Sequence, residues 1–425
     1  MNQGILQSVN TDRLRENIET NGDFGRIETD SGHGRTVLPG TPANKQAREY
    51  LIEQLNIADL DISIDPVGNI VGRYLPTGAD PDAAPVASGS HLDSVPEGGI
   101  FDGPLGIYGA LEAVRTIDDA GVELDRPIHV VSFTEEEGHR FTDGLLGSSV
   151  ATGLATSDAM LARTDADGTT LRTALDEIGF RGDDEIDATQ WDSWLELHVE
   201  QGERLIDAGG SVGIVDSIAG TIRCTVDIDG EANHSGTTWM SNRTDALTAA
   251  SELVLTVEQT ARELAAADGG ETVATVGELD VDPGAVNVIP GHTRLRTDIR
   301  STEYANMEAI VTAVRNELTR LENERGVETS FERPYDIKPI PMSKRCQRAL
   351  TDAAAEAGLE ELSLHSGAGH DTMHLAEVTD VGLLFAPSEN GESHNPNEWT
   401  DWTDCTDAVR VLTGALIQLA SDRTA

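Results

Sequence analysis

Cysteine, lysine and long apolar runs are all scarce in this chain of 425 residues. Its three cysteines, Cys224, Cys346 and Cys405, stand far apart and form no C-x-x-C pair. That pattern supports neither a disulfide framework nor a thiolate zinc site. No run of about 18 apolar residues occurs, so no membrane-spanning helix is expected. The first residues, Met1-Asn-Gln-Gly-Ile-Leu-Gln-Ser8, lack a basic stretch followed by an apolar one. No signal peptide is therefore expected, and the default location is a reducing cytoplasm. Lysine occurs only at Lys45, Lys338 and Lys344, and Lys+Arg total 30 against 75 Asp+Glu, a net charge of −45. With nothing resembling a basic patch, nucleic acid is not an expected partner. Acidic charge spread over the whole chain suits a protein working in high salt, which screens its self-repulsion. An acidic disordered chain is the alternative. A hydrophobic fraction of 38% and recurrent amphipathic periodicity argue for folded cores instead. The length is sufficient for two domains.

What is present is organised around Ser88–Gly106, SGSHLDSVPEGGIFDGPLG. Pro85-Val-Ala leads in as a short buried strand, and His91 and Asp93 follow. After a glycine-rich loop come Asp102, Gly103 and Pro104. Pro104 fits the first turn of a helix, where a missing N–H costs nothing. The helix behind it carries Ile107, Ala110, Leu111, Val114 and Ile117 on one stripe. An imidazole and two carboxylates thus gather where a strand meets a helix, the usual place for a ligand site in an open α/β sheet. His91 and Asp102 are read as metal ligands.

Two further strand ends carry the same chemistry. Ile128–Phe133 reads as a strand ended by Thr134-Glu-Glu-Glu-Gly-His139. Three adjacent carboxylates repel one another, and a divalent ion is one reason to keep them together; a solvated acidic turn is the other. Trp194–Gly202 reads as a third strand, with His198 on the face opposite Leu195, Leu197 and Val199. Before these, helices are expected over 10–56, clearest at Pro42–Asn56, and strands at Ile62–Ile64 and Asn69–Tyr74. Residues 150–190, rich in Asp and Thr, read as a peripheral insertion. From about Gly213 the pattern changes to clean alternation, beginning at Thr221–Ile228, as in a half-exposed antiparallel strand. A helix at Asn242–Leu264, strands at Thr272–Val276, Val286–Ile289 and Thr293–Ile299, a helix at 303–321 and a strand at Val327–Phe331 give a β-α-β-β-α-β order, a ferredoxin-like sandwich. Pro334 and Pro339 mark the return. A helix at 343–357, a turn at Ser366–Asp371 with Asp371 capping the next helix, a strand at Gly382–Pro387 and a helix at 403–419 complete the chain. The expected fold is α/β: a mixed central sheet flanked by helices in 1–214 and 333–425, with 215–332 inserted.

Set together, His91, Asp102, Glu136, Glu137, His198 and His394 offer three imidazoles and three carboxylates. This donor set suits Zn²⁺, Mn²⁺, Co²⁺ or Ni²⁺. A carboxylate such as Asp102 can bridge two ions about 3.5–4 Å apart, as in two-metal hydrolytic sites. One Glu of the run can bind metal while its neighbour stays free to move a proton. Asp93, two residues from His91, is placed to orient that imidazole.

The segments SHLDSVPEGGIFDGPLG, FTEEEGHRF, ELHVEQG, ANHSGTT, NVIPG, DIRS, SGAGHD and PSENGESHNPNE, in this order, resemble those of the hydantoinase/carbamoylase family of amidases. That family comprises N-carbamoyl-L-amino-acid hydrolases, allantoate amidohydrolases and β-ureidopropionases, in the clan of dinuclear zinc aminopeptidases. The resemblance implies a zinc-aminopeptidase-like catalytic domain and an inserted domain that forms a homodimer and closes as a lid. It implies two divalent ions on His91, Asp102 (bridging), Glu137, His198 and His394, with Glu136 as general base. Glu135 would be spare. It further implies that His234 reaches the neighbouring subunit's site to stabilise the developing oxyanion. Asn287 and Arg300 would grip a substrate carboxylate, with Gln201 and the Gly369 backbone completing the pocket. On spacing alone, Arg300 is a surface arginine, His234 a loop residue and Asn287 a turn residue. His198 stands where peptidase relatives usually place a carboxylate. Trp239 stands where relatives usually have Pro, in the loop that carries His234.

The expected activity is metal-dependent hydrolysis of a ureido C–N bond in a small carboxylate-bearing substrate, an N-carbamoyl-L-amino acid first, releasing ammonia. Allantoate and N-carbamoyl-β-alanine compete as substrates. A dinuclear dipeptidase is the more distant alternative, which His198 and Arg300 speak against. A non-catalytic binding protein is the third, which an intact Glu136 speaks against.

Overall fold

The computed structural model describes residues 2–29 and 32–421. They form two compact units. One holds the chain up to Asp216, then Met342–Leu364 and everything from Ala368; the other holds Ser217–Pro341 and His365–Gly367. In chain order the strands are β1 (Asp61–Ile64), β2 (Ile70–Tyr74), β3 (Val86–His91), β4 (Ile128–Phe133), β5 (Ser193–Val199), β6 (Val212–Ile218), β7 (Gly220–Asp229), β8 (Asn233–His234), β9 (Val273–Asp282), β10 (Val288–Ile289), β11 (His292–Ser301), β12 (Glu328–Ile337), β13 (Ile340–Pro341), β14 (Glu361–Ser366) and β15 (Asp380–Ala386).

The first unit is built on a mixed sheet in the order β1-β2-β4-β3-β5-β15-β6, with β14 pairing β6. β3 runs parallel to β4 and β5, and β15 parallel to β5, while β1, β2 and β6 join antiparallel. The parallel strands are buried almost throughout. This is why they read as unbroken apolar and small residues: both faces of the sheet are covered by helices. The helix Pro104–Asp119 is buried from Pro104 to Ile117, not along one stripe as its periodicity predicts. Its polar positions survive burial because they are paired. Glu112 accepts from Arg13 Nε at 2.6 Å, and Arg115 donates to Asn17 and Gln54.

Residues 150–190 are not a peripheral insertion. Leu161, Leu171, Ala174, Leu175, Ile178 and Phe180 all enter the main core of the first unit. Three of the Asp and Thr residues that suggested a surface excursion are helix caps: Thr156, Thr170 and Asp187 each accept from a backbone N–H at the start of a short helix. β6 and β14 have no counterpart in the sequence reading.

In the second unit the sheet order is β12-β7-β11-β9, antiparallel throughout. With the helices Ala246–Asp268 and Tyr304–Arg325, the elements follow the order β-α-β-β-α-β. β7 buries alternate residues, Ile222, Cys224, Val226 and Ile228, and leaves the others to solvent, as a sheet with one covered face must. The helix predicted from Asn242 starts at Ala246, capped by Asp245, after a short 3₁₀ turn at Met240–Asn242. Pro334 does not end the unit. It lies where the β12–β7 register shifts between Glu332 and Tyr335, a place where a strand tolerates a missing N–H. β12 continues to Ile337, and the unit extends to Pro341 rather than 332.

Candidate metal centre

Four loops at the ends of β3, β4, β5 and β15 converge in the first unit. His91 is the last residue of β3 and is fully buried. Gly103, with φ +83, turns the chain into the helix Pro104–Asp119; a Cβ there would collide with the carbonyl and ring of His91. Only glycine lets the loop carrying Asp102 close on the strand end.

Asp102 sits at the middle. Its Oδ1 lies 3.3 Å from His198 Nε2 and 3.7 Å from His91 Nε2. Its Oδ2 lies 3.3 Å from His394 Nε2, which is also 3.3 Å from Glu137 Oε2. Two ligand groups result, His91–Asp102–His198 and Asp102–Glu137–His394, each with its donor atoms within 4.8 Å of one another. They share Asp102. The Nε2 atoms of His91 and His198 are buried and have no hydrogen-bond partner, a costly state for polar atoms that an ion would relieve. An imidazole and carboxylate set without thiolate fits divalent ions of the zinc and manganese type. His394 is half exposed and Glu137 partly so, while His91, Asp102 and His198 are buried, so the site opens on the His394 side.

Glu136 belongs to neither group, yet its Oε2 is 3.7 Å from His91 Nε2. The turn that presents it is held from two sides. The Asp93 carboxylate accepts from the backbone N–H groups of Glu136 and Glu137 at 3.4 and 3.2 Å. His91 Nδ1 lies 3.1 Å from the Asp93 carbonyl and 3.8 Å from Oδ1 of its carboxylate. Glu135 is not spare. It takes φ +55, and its carboxylate accepts from the backbone N–H groups of Arg140, Phe141 and Thr142. The first acidic residue of the run therefore folds the loop, and the two that follow it lie beside His91 and His394.

The charges are mutually dependent. Burial works against a charged His91, but Glu136, Asp102, Asp93 and Glu137 hold its pKa well above the ordinary value. Burial pushes Asp102 up, and His198, His394 and His91 outweigh it, so Asp102 stays ionised. Burial raises Glu136 well above the usual carboxylate range, helped by Glu137, Asp371 and Asp102. Burial and Asp102 push Glu137 up to about 8, and the hydrogen bond to Asp102 lifts His394 to about 9. A carboxyl raised toward neutrality by burial is suited to accept and return a proton.

Other predicted residues fall in two places. Gln201 Nε2 donates to Asp102 Oδ2 at 3.3 Å. Gly369 precedes His370, whose ring meets that of His198 at 4.6 Å between centroids. A third group, Glu196–His198–His370, also gathers donors, but Glu196 already accepts from Ser90 and Thr372. Asp371 makes no side-chain cap; it adopts helical dihedrals and its carboxylate is buried. His234, Asn287 and Arg300 lie in the second unit. The β8–β10 ladder pairs His234 with Val288, and Ser235 N–H donates to the Asn287 carbonyl at 3.0 Å. His234 is exposed, and its Nδ1 accepts from Gly236 N–H; that assigns the ring proton to Nε2. Arg300 donates to Asp298 and to the Gly367 carbonyl, each at 2.8 Å. Reading the sequence did not find Ser393 and Glu398, both in contact with Asp102; their only signal is proximity to His394.

Candidate metal-ligand groups at the carboxyl ends of strands in a mixed sheet suit a metal-dependent hydrolase. The model of the peptidase family M20/M25/M40 matches residues 87–418, and the chain belongs to that family. Within it, the chain is 36% identical over 402 residues to the N-carbamoyl-L-amino acid amidohydrolase of Geobacillus stearothermophilus, covering 94% of this chain and 96% of that one. It is 33% identical over 412 residues to the allantoate amidohydrolase of Escherichia coli K12, covering 96% and 97%. The crystal structure of a hydantoinase/carbamoylase family amidase from Burkholderia multivorans superposes with a TM-score of 0.90 at 33% identity, covering 98% and 99%. The chain is a hydrolase of the amidase branch of its family.

Proposed function

We propose that this chain is a metal-dependent amidohydrolase that cleaves the ureido C–N bond of an N-carbamoyl-L-amino acid and releases ammonia. The observation that carries the reading is the pair of ligand groups sharing Asp102, with Glu136 beside them and in neither. His91, Asp102 and His198 would hold one ion, and Asp102, Glu137 and His394 the other. Such ions, when bound, polarise a carbonyl and lower the pKa of a water. Glu136 would take a proton from an attacking water and return it to the departing nitrogen. Asp93 and Glu135 keep the turn that aims Glu136. His234, with its proton on Nε2, donates to the developing oxyanion. Arg300 binds the substrate carboxylate once its fork is shared with or released from Asp298, and Asn287, Gln201 and the Gly369 backbone fix the substrate's remaining polar groups. The second unit serves as dimerisation and lid domain, so that His234 acts in a neighbouring subunit's site. The dimer works in the cytoplasm at high salt, consistent with the −45 charge; no helix among the described residues is long and apolar enough to cross a membrane.

Allantoate is the second reading, favoured by the 33% identity to a relative of that name; N-carbamoyl-β-alanine and dipeptides are more distant ones. Ammonia release in molar salt with added Mn²⁺, Co²⁺ or Zn²⁺ tests the choice, with all four substrate types offered in parallel. Turnover of an N-carbamoyl-L-amino acid that chelator abolishes is the expected result. Cleavage of dipeptides alone would overturn it.

A further inference from the structure

Glu398 is buried and joins the two loops that carry Asp102 and His394. Its Oε1 accepts from the backbone N–H groups of Phe101 at 2.9 Å and Asp102 at 3.0 Å. Its Oε2 lies 3.0 Å from the Ser393 hydroxyl, which donates to Asp102 Oδ2 at 2.8 Å. Room for this carboxylate is made by Gly99, where a Cβ would collide with it. Behind it, the buried Arg35 donates from its backbone N–H to the Gly98 carbonyl and from Nε to the Gly99 carbonyl, at 2.9 and 3.0 Å. Its guanidinium charge faces Glu398 and Asp102. A buried carboxylate beside an acidic centre is costly unless it is hydrogen-bonded. Here the Glu398 carboxylate meets the backbone N–H groups of Asp102 and of Phe101 before it, and the hydroxyl of Ser393, the residue before His394.

We propose that Glu398, through Ser393, is a positioning residue that sets the bridging carboxylate and with it the second ion. Oδ2, the oxygen that Ser393 holds, is the one beside His394; Oδ1 faces His91 and His198. Loss of the brace therefore weakens the Asp102–Glu137–His394 group and spares the other. This rests on the two-ion reading of the site.

The test is a chelator-competition titration of the full-length protein with Zn²⁺, together with metal content and melting temperature. Wild type should bind two equivalents. Glu398→Ala should keep one tight ion and lose at least tenfold in affinity for the second. Glu398→Gln should bind both ions nearly as wild type does, because an amide oxygen can still accept from Phe101 and Asp102. Ser393→Ala, which removes one hydroxyl, should weaken the second ion several-fold with little change in melting temperature, and it serves if Glu398→Ala does not fold. Two ions bound at wild-type affinity in Ser393→Ala, or in a folded Glu398→Ala, would overturn the brace. A wild-type stoichiometry of one would overturn the two-ion reading itself.

Discussion

The ligand cluster of the first unit and the His234–Arg300 region of the second are made differently. In the first, His91, Asp102 and His198 are buried at or beside strand ends, His91 Nδ1 meets the Asp93 carbonyl, and the turn at 135–137 is held by N–H donation to the Asp93 carboxylate. In the second, His234 is exposed, Trp239 and Met240 are 79% and 78% exposed, and the loop between is tied mainly by Arg243 to the Ser235 and Thr238 carbonyls. Groups that move protons and hold ions need a fixed geometry and a low dielectric. Groups that choose a substrate can lie on loops, where side chains change without disturbing a core.

The contrast predicts a graded set of effects. Asp102→Ala removes the residue common to both ligand groups, so metal content and turnover should both fall to background; retention of two ions would break the bridging assignment. Glu136→Gln should keep both ions and lower kcat by about 10²–10⁴-fold, the usual worth of a general base; metal analysis beside single-turnover kinetics checks it. Arg300→Ala should leave metal content unchanged and raise KM by about 10–100-fold, as expected for a lost charged hydrogen bond. Metal affinity should climb between about pH 7 and pH 9. Glu137 and His394, raised to about 8 and about 9 without metal, must lose protons to bind it. The gain is at most about tenfold per pH unit for each proton displaced. Proton release on Zn²⁺ binding at pH 7, followed calorimetrically in buffers of different ionisation enthalpy, measures the same effect. Trp239→Pro should produce the smallest change, a shift in preference among N-carbamoyl amino acids with metal content and kcat for the best substrate nearly constant.

The same division explains what could be read in advance. β4 coincides with the predicted Ile128–Phe133 because a doubly covered parallel strand is an unbroken apolar run. The candidate ligand residues stood out because charged groups at the ends of such runs are unusual. Glu135 looked spare because its three partners are backbone N–H groups of residues 140–142, which no side-chain pattern announces. Glu398 was invisible for a like reason: it meets Phe101 and Asp102, which lie 297 and 296 residues away in the chain. Residues 150–190 misled because capping Thr and Asp residues mimic a polar loop and hide the helical spacing of Leu171, Ala174, Leu175 and Ile178, which enter the core.

The most direct test is metal reconstitution of the stripped protein, following ammonia release from an N-carbamoyl-L-amino acid in molar salt. Turnover should be absent without metal and reach its maximum only as the second equivalent binds. Full turnover in the stripped protein, or a maximum at one equivalent, would contradict a site in which Asp102 is shared by two ions.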